Sequence, residues 1–214
     1  MEIRDLINKA NSFGVKVVYD NKETVKDRIK KGEHIIYFAS VEGDERKKYE
    51  RTSEKGEFTS TSACIHLPDI SITDIIDTYK NCDGSGIYEF TCEMIQDKCG
   101  TVKNMDDAFI VFMFLHEVGH WRHFDELECR VMRFIEEDKE LEEEAFNNQV
   151  NLEKQRKIRI EKGITCVQTA KERKLARQYM IEYRNIPKEK KADEFALSKI
   201  YNILNSLQLK GEQV

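Results

Sequence analysis

Residues 108–123 read AFIVFMFLHEVGHWRH, and the rest of the chain is organised around this stretch. From Ala108 to Trp121 it is apolar almost all the way round a helix, which places it in an interior rather than on a surface. Asn104 stands where an N-cap belongs, and Asp106 and Asp107 suit the positive end of the helix dipole. Within the helix, His116-Glu117-Val118-Gly119-His120 is an HExxH motif. Residues four apart lie one turn above each other, so both imidazoles reach one ion. Glu117 is turned by about 100° from His116, so it flanks that ion and can take a proton from a bound water. Two imidazoles and a carboxylate are costly to bury in an apolar helix without partners, and a metal is such a partner.

A catalytic zinc takes three protein ligands and leaves a fourth place for water. The last helix starts at Pro187, whose fixed φ and missing N–H suit a first turn, and Gly211 follows its end. Projected at about 100° per residue, its apolar face is Ala192, Ala196, Ile200, Ile203 and Leu207. Glu189 falls near the centre of that face with Asp193 beside it, and Glu194 points the opposite way. Coordination by Glu189, with Asp193 orienting a ligand histidine, explains two carboxylates directed at a core. The plainer alternative is a first-turn Glu189 that frays into solvent and favours the helix dipole. His123 shares a face with His116 and His120 but lies two turns from His116, too far for one ion, and reads as a surface histidine.

Upstream, Ile3, Leu6, Ile7 and Ala10 are at helical spacing before Gly14, and Val15 to Tyr19 alternates as a strand does. Further strands are expected at His34 to Ala39 and Ser60 to His66, with Gly43 to Gly56 between them as a mobile loop. Ser71 or Thr73 caps a short helix through Tyr79, Gly84-Ser85-Gly86 marks a turn, and Ile87 to Ile95 is expected as a strand. Residues 125–185 are rich in Glu, Lys and Arg, broken at Gly163 and resumed from Thr165 to Tyr183. They read as a charge-rich helical insertion between the HExxH helix and the third-ligand helix. The expected fold is α+β, a single domain over residues 1–214, with a small N-terminal sheet against the HExxH helix and a mostly helical C-terminal half.

The chain has 214 residues, 40% hydrophobic, enough for one sizeable core. Its 35 basic and 40 acidic side chains give a net charge of -5, which supplies no basic field for nucleic acid. The N-terminal Met-Glu-Ile-Arg-Asp-Leu lacks a signal-peptide pattern, and the longest apolar run, Ala108 to Leu115, is too short to span a bilayer. A soluble cytoplasmic protein is therefore expected. The six cysteines (Cys64, Cys82, Cys92, Cys99, Cys129 and Cys166) are diffuse, without Cys-x-x-Cys spacing, and are expected as free thiols.

HEVGH followed by Glu189-Lys190-Lys191-Ala192-Asp193-Glu194-Phe195-Ala196 resembles the gluzincin pattern HExxH…ExxA(D/N)xFA. The nearest group is the ImmA/IrrE-like metallopeptidases, and the resemblance covers Phe109 to His123 and Glu189 to Leu197. It implies a small cytoplasmic zinc peptidase that cleaves a transcriptional repressor, with an N-terminal part beginning helix then strand. The metzincin pattern fails, because its third His and preceding Gly fall on Glu126 and His123.

The chemistry expected from these residues is amide hydrolysis on one zinc ion, which two imidazoles and one carboxylate suit well, with Glu117 as general base. The substrate class is peptide or protein. Tyr179, Tyr183 and His123 are candidates for an oxyanion donor. The charged insertion is a candidate surface for a regulatory protein partner. The alternative class is a zinc-stabilised, non-catalytic binding module, which a fourth protein ligand such as Cys129 would favour.

Overall fold

A computed structural model describes residues 3–31, 33–52, 58–81, 86–145, 147–148 and 170–209. The architecture is α+β and mostly helical, with one three-stranded sheet. The chain opens with helix α1 (Ile3–Ala10), which buries Ile3, Leu6, Ile7 and Ala10, the face its spacing predicts. Strand β1 (Val17–Asp20) follows, then helix α2 (Lys22–Lys31), whose first turn is capped by Asn21 Oδ1 accepting from the Glu23 and Thr24 amides.

Strands β2 (Tyr37–Ala39) and β3 (Cys64–Pro68) complete the sheet in the order β1-β3-β2. β1 runs parallel to β3 with Val17 opposite Ile65, and β2 runs antiparallel to it with Phe38 opposite Ile65. The central strand β3 is buried along its whole length, and β2 is an edge. The three expected strands thus all exist with shifted bounds: each starts later than expected, β1 and β3 run on to Asp20 and Pro68, and β2 ends at Ala39 as expected.

Between β2 and β3 the structure corrects the expected loop. Gly43–Arg51 is helix α3, with Glu42 as its N-cap; residues 53–56 lie outside the described residues. α3 buries no residue fully, so apolar periodicity could not reveal it; polar contacts fix it instead. The Glu45 carboxylate accepts from the Ser60 hydroxyl, the Thr61 hydroxyl and the Thr61 and Ser62 amides.

Helix α4 (Ile72–Asn81) is capped by Ser71 Oγ, which accepts from the Asp74 amide. The expected strand at Ile87 to Ile95 is helix α5 (Ile87–Cys99), another correction: Ile87, Thr91, Ile95 and Cys99, four apart, are the buried residues. The β-branched and aromatic content of that stretch favours a strand locally, but burying one helical face against neighbouring helices wins. Of the expected turn, Gly84 and Ser85 lie outside the described residues, and Gly86 precedes α5 in a left-handed conformation.

Helix α6 (Met105–Glu126) runs through the interior, capped by Asn104 Oδ1 on the Asp107 amide, with every residue from Asp107 to His120 buried. After it come α7 (Val131–Glu136), a helical stretch α8 over residues 139–145, α9 (Ala170–Arg184) and α10 (Pro187–Ser206). Gly163, the restart at Thr165 and Gly211 lie outside the described residues. Although the stretch 125–185 was expected to be solvated, Val131, Phe134, Ala176, Met180 and Arg184 within it are buried. Among the described residues no helix is long and apolar enough to cross a membrane.

Candidate metal centre

A close helix crossing sets the site. α10 crosses α6 at Gly119, where an added Cβ would stand 2.7 Å from Ala192 Cα and 3.0 Å from Ala192 O. With no side chain between them, the two backbones come close enough for α10 to deliver Glu189 and Asp193 to His116 and His120. All four are at least nine-tenths buried.

The ligand atoms converge. His116 Nε2 lies 3.2 Å from Glu189 Oε2, His120 Nε2 lies 3.3 Å from Glu189 Oε1, and the two Nε2 atoms are 3.1 Å apart. At most one hydrogen fits between two facing imidazole nitrogens, so three lone-pair-bearing groups are aimed at a common point. Glu189 Oε2 has no hydrogen-bond partner although it is buried. Such an orphaned anion is costly without a cation. His116, His120 and Glu189 are the one group among the described residues able to hold a metal ion.

Asp193 Oδ1 accepts from His116 Nδ1 at 2.9 Å, which leaves Nε2 as the coordinating atom. Arg184, at the end of α9, donates to the same oxygen at 2.6 Å and is itself buried. With neutral imidazoles, the carboxylates of Glu117, Glu189 and Asp193 against the Arg184 guanidinium leave two negative charges, which a divalent ion balances. Burial and the Arg184 charge press the His116 pKa down, but the neighbouring Asp193 and Glu189 carboxylates outweigh them and hold it up at about 9. Burial pushes Glu189 up, yet His120 and His116 keep it well below the usual carboxylate range.

Glu117 faces the other way, towards the sheet. Its Oε2 accepts from the Phe38 amide of the edge strand β2 at 2.8 Å, which fixes the carboxylate beside the converging ligands. A cleft of about 200 Å³ opens here, between β2, α6 and the start of α10, with His34, Tyr37, Phe134, Glu142, Tyr183 and Lys188 on its walls.

Every residue expected at the site is brought together: His116, Glu117, His120, Glu189 and Asp193. Of the three candidate oxyanion donors, Tyr183 lines the cleft; burial, then the charge of Glu189, raise its pKa well above the ordinary value. Tyr179 and His123 do not line it. His123 is not a surface histidine: it is buried, hydrogen-bonded through Nε2 to Glu137, with its ring 6.1 Å from that of Phe134.

Arg184 and Phe134 were missed, because in a charge-rich stretch a buried arginine or phenylalanine has no periodicity to mark it. Cys64, Cys92, Cys99 and Cys129 are in no disulfide; Cys82 and Cys166 lie outside the described residues. Cys64 faces His66 Nε2 at 3.4 Å, but burial and the nearby Glu42 push its thiol up to about 11, which disfavours the thiolate. No protein-family model matches the chain, and neither does any curated protein or solved structure.

Proposed function

We propose that the chain is a zinc-dependent endopeptidase of zincin-like fold, acting on a peptide bond of an intracellular regulatory protein such as a repressor. The observation that carries this reading is the convergence of His116, His120 and Glu189, all buried, with Glu117 braced beside them by the Phe38 amide. Two imidazoles and one carboxylate are a zinc donor set, and three protein ligands leave a place open for water, as catalysis requires. Zinc held there supplies Lewis acidity towards water and towards the scissile carbonyl.

The chain's own residues do the rest. Glu117 Oε2 is occupied by the Phe38 N–H, so Oε1 accepts the proton of the attacking water and passes it to the leaving amine. Asp193, braced by Arg184, holds the His116 ring so that Nε2 faces the ion. Tyr183, protonated because burial and Glu189 disfavour its anion, offers an O–H at the cleft wall to the developing oxyanion. The test is cleavage of a proteome-derived peptide library. Wild type is expected to cut a defined set of peptides, and both Glu117→Gln and chelator-treated wild type to cut none. Equal cleavage by Glu117→Gln would sink the mechanism.

A further inference from the structure

We propose that Asp138, in the charge-rich stretch outside the site, is a positioning residue for Glu189, and this rests on the metal reading above. The last helix begins without a cap of its own. Its N-cap is Ile186, which has no side-chain acceptor, and Pro187 has no N–H, so the first amide needing an acceptor is that of Lys188. Asp138 Oδ2 accepts from that amide at 2.9 Å, from 50 residues away in the sequence. One residue further along α10 is Glu189. The backbone turn that carries the third ligand is therefore closed by a side chain from another part of the chain.

The connection is reciprocal. The Lys188 ammonium is buried, bonded to Glu142 at 2.5 Å and to the Glu137 carbonyl at 3.4 Å, and lies 4.8 Å above the Phe134 ring. Glu137 is in turn bonded to His123, one turn beyond His120 on α6. Residues 137–142 thus form a strap tied at one end to the helix carrying the two histidines and at the other to the first turn of the helix carrying the glutamate. Asp138 has a left-handed backbone (φ 61°), which aspartate tolerates better than most residues. From there its carboxylate reaches α10 while its own carbonyl accepts from the Glu142 amide to start α8.

Metal affinity falls whenever the ligand-bearing state is only partly populated in the metal-free protein. An uncapped first turn frays, and fraying takes Glu189 out of reach of His116 and His120. Losing a helix cap shifts the closed turn towards the frayed one by roughly 2- to 30-fold, which bounds the expected loss of affinity.

The experiment is zinc affinity by competition with a chromogenic chelator for wild type, Asp138→Ala, Asp138→Asn, Glu189→Ala and the Asp138→Ala/Glu189→Ala double variant. Amide exchange at Lys188 and Glu189 is measured in the metal-free proteins. Asp138→Ala is expected to bind zinc roughly 2- to 30-fold more weakly, with faster exchange confined to the first turn of α10. Asp138→Asn, which keeps an acceptor oxygen, is expected to restore most of the affinity. In the Glu189→Ala background, removing Asp138 is expected to change affinity no further. Wild-type affinity in Asp138→Ala, or an equal further loss in the double variant, overturns the proposal. If wild type itself binds no zinc, the metal reading fails and the proposal falls with it, whereas the exchange data still show whether Asp138 closes the turn.

Discussion

Gly119→Ala is the sharpest perturbation of the site, because it adds one methyl group and alters no charge. That methyl would meet Ala192 Cα at 2.7 Å, Ala192 O at 3.0 Å and Ala192 Cβ at 3.2 Å. Ordinary contact begins at 3.4 Å, so α10 must retreat from α6 by 0.7 Å or more. Since the two nearest atoms are backbone, no rotamer change relieves the clash. The same shift would stretch the 2.9 Å bond between Asp193 and His116 to about 3.6 Å, beyond hydrogen-bonding range. It would also move Glu189 by several times the ~0.2 Å tolerance of a zinc–ligand distance.

Global stability moves less. Overpacking costs about 1–3 kcal/mol, and replacing a mid-helix glycine by alanine returns about 1 kcal/mol of helix propensity. The expected result is a zinc affinity at least tenfold weaker with a thermal midpoint of the metal-free protein within a few degrees of wild type. Competition titration and calorimetry in chelator read the two quantities separately. Adding Ala192→Gly removes only the 3.2 Å contact, so it is expected to rescue little. Wild-type zinc affinity in Gly119→Ala would refute the claim that this crossing sets the site.

Three other outcomes follow from the same geometry. Arg184→Met strips a buried partner from Asp193 and is expected to destabilise the metal-free fold by about 3 kcal/mol in urea unfolding; a loss below about 1 kcal/mol would mean the pair is not buried as described. Zinc at about 100 times its dissociation constant is expected to add about 2.7 kcal/mol of stability, a rise of roughly 5–10 °C for a chain of this size, whereas His120→Ala should show no rise. Hydrogen bonds led by that from Thr61 hold the Glu45 carboxyl down to about 2 against burial, so its folded pKa lies below the ordinary 4.5. Its contribution is present above pH 4.5 and is lost as pH falls through about 2, so Glu45→Gln should flatten the acid limb of the stability curve in that window.

The parts of the site that could be read from the sequence are those set by helical periodicity. His116 and His120 share a face by spacing alone, and Glu189 and Asp193 sit on the apolar face of α10 with Ala192, Ala196 and Ile200, all of them buried. Periodicity is silent where a side chain is fixed by a single distant partner. Arg184 is buried because Asp193 lies across the α9–α10 corner, and Asp138 matters because Ile186 cannot cap its own helix. His123 was misread because its burial depends on Glu137 and Phe134, from a segment whose composition is that of a solvated surface. α3 and α5 were missed for opposite reasons: α3 has no apolar face to detect, and α5 has strand-like residues overridden by packing.

The most direct test of the central claim is metal content by inductively coupled plasma mass spectrometry on wild type, Glu117→Gln and Glu189→Ala. About one zinc per chain is expected in wild type and Glu117→Gln, and none retained through purification by Glu189→Ala, whose two imidazoles alone hold the ion too weakly to survive it. Zinc retained by Glu189→Ala, or absent from wild type, would contradict the claim.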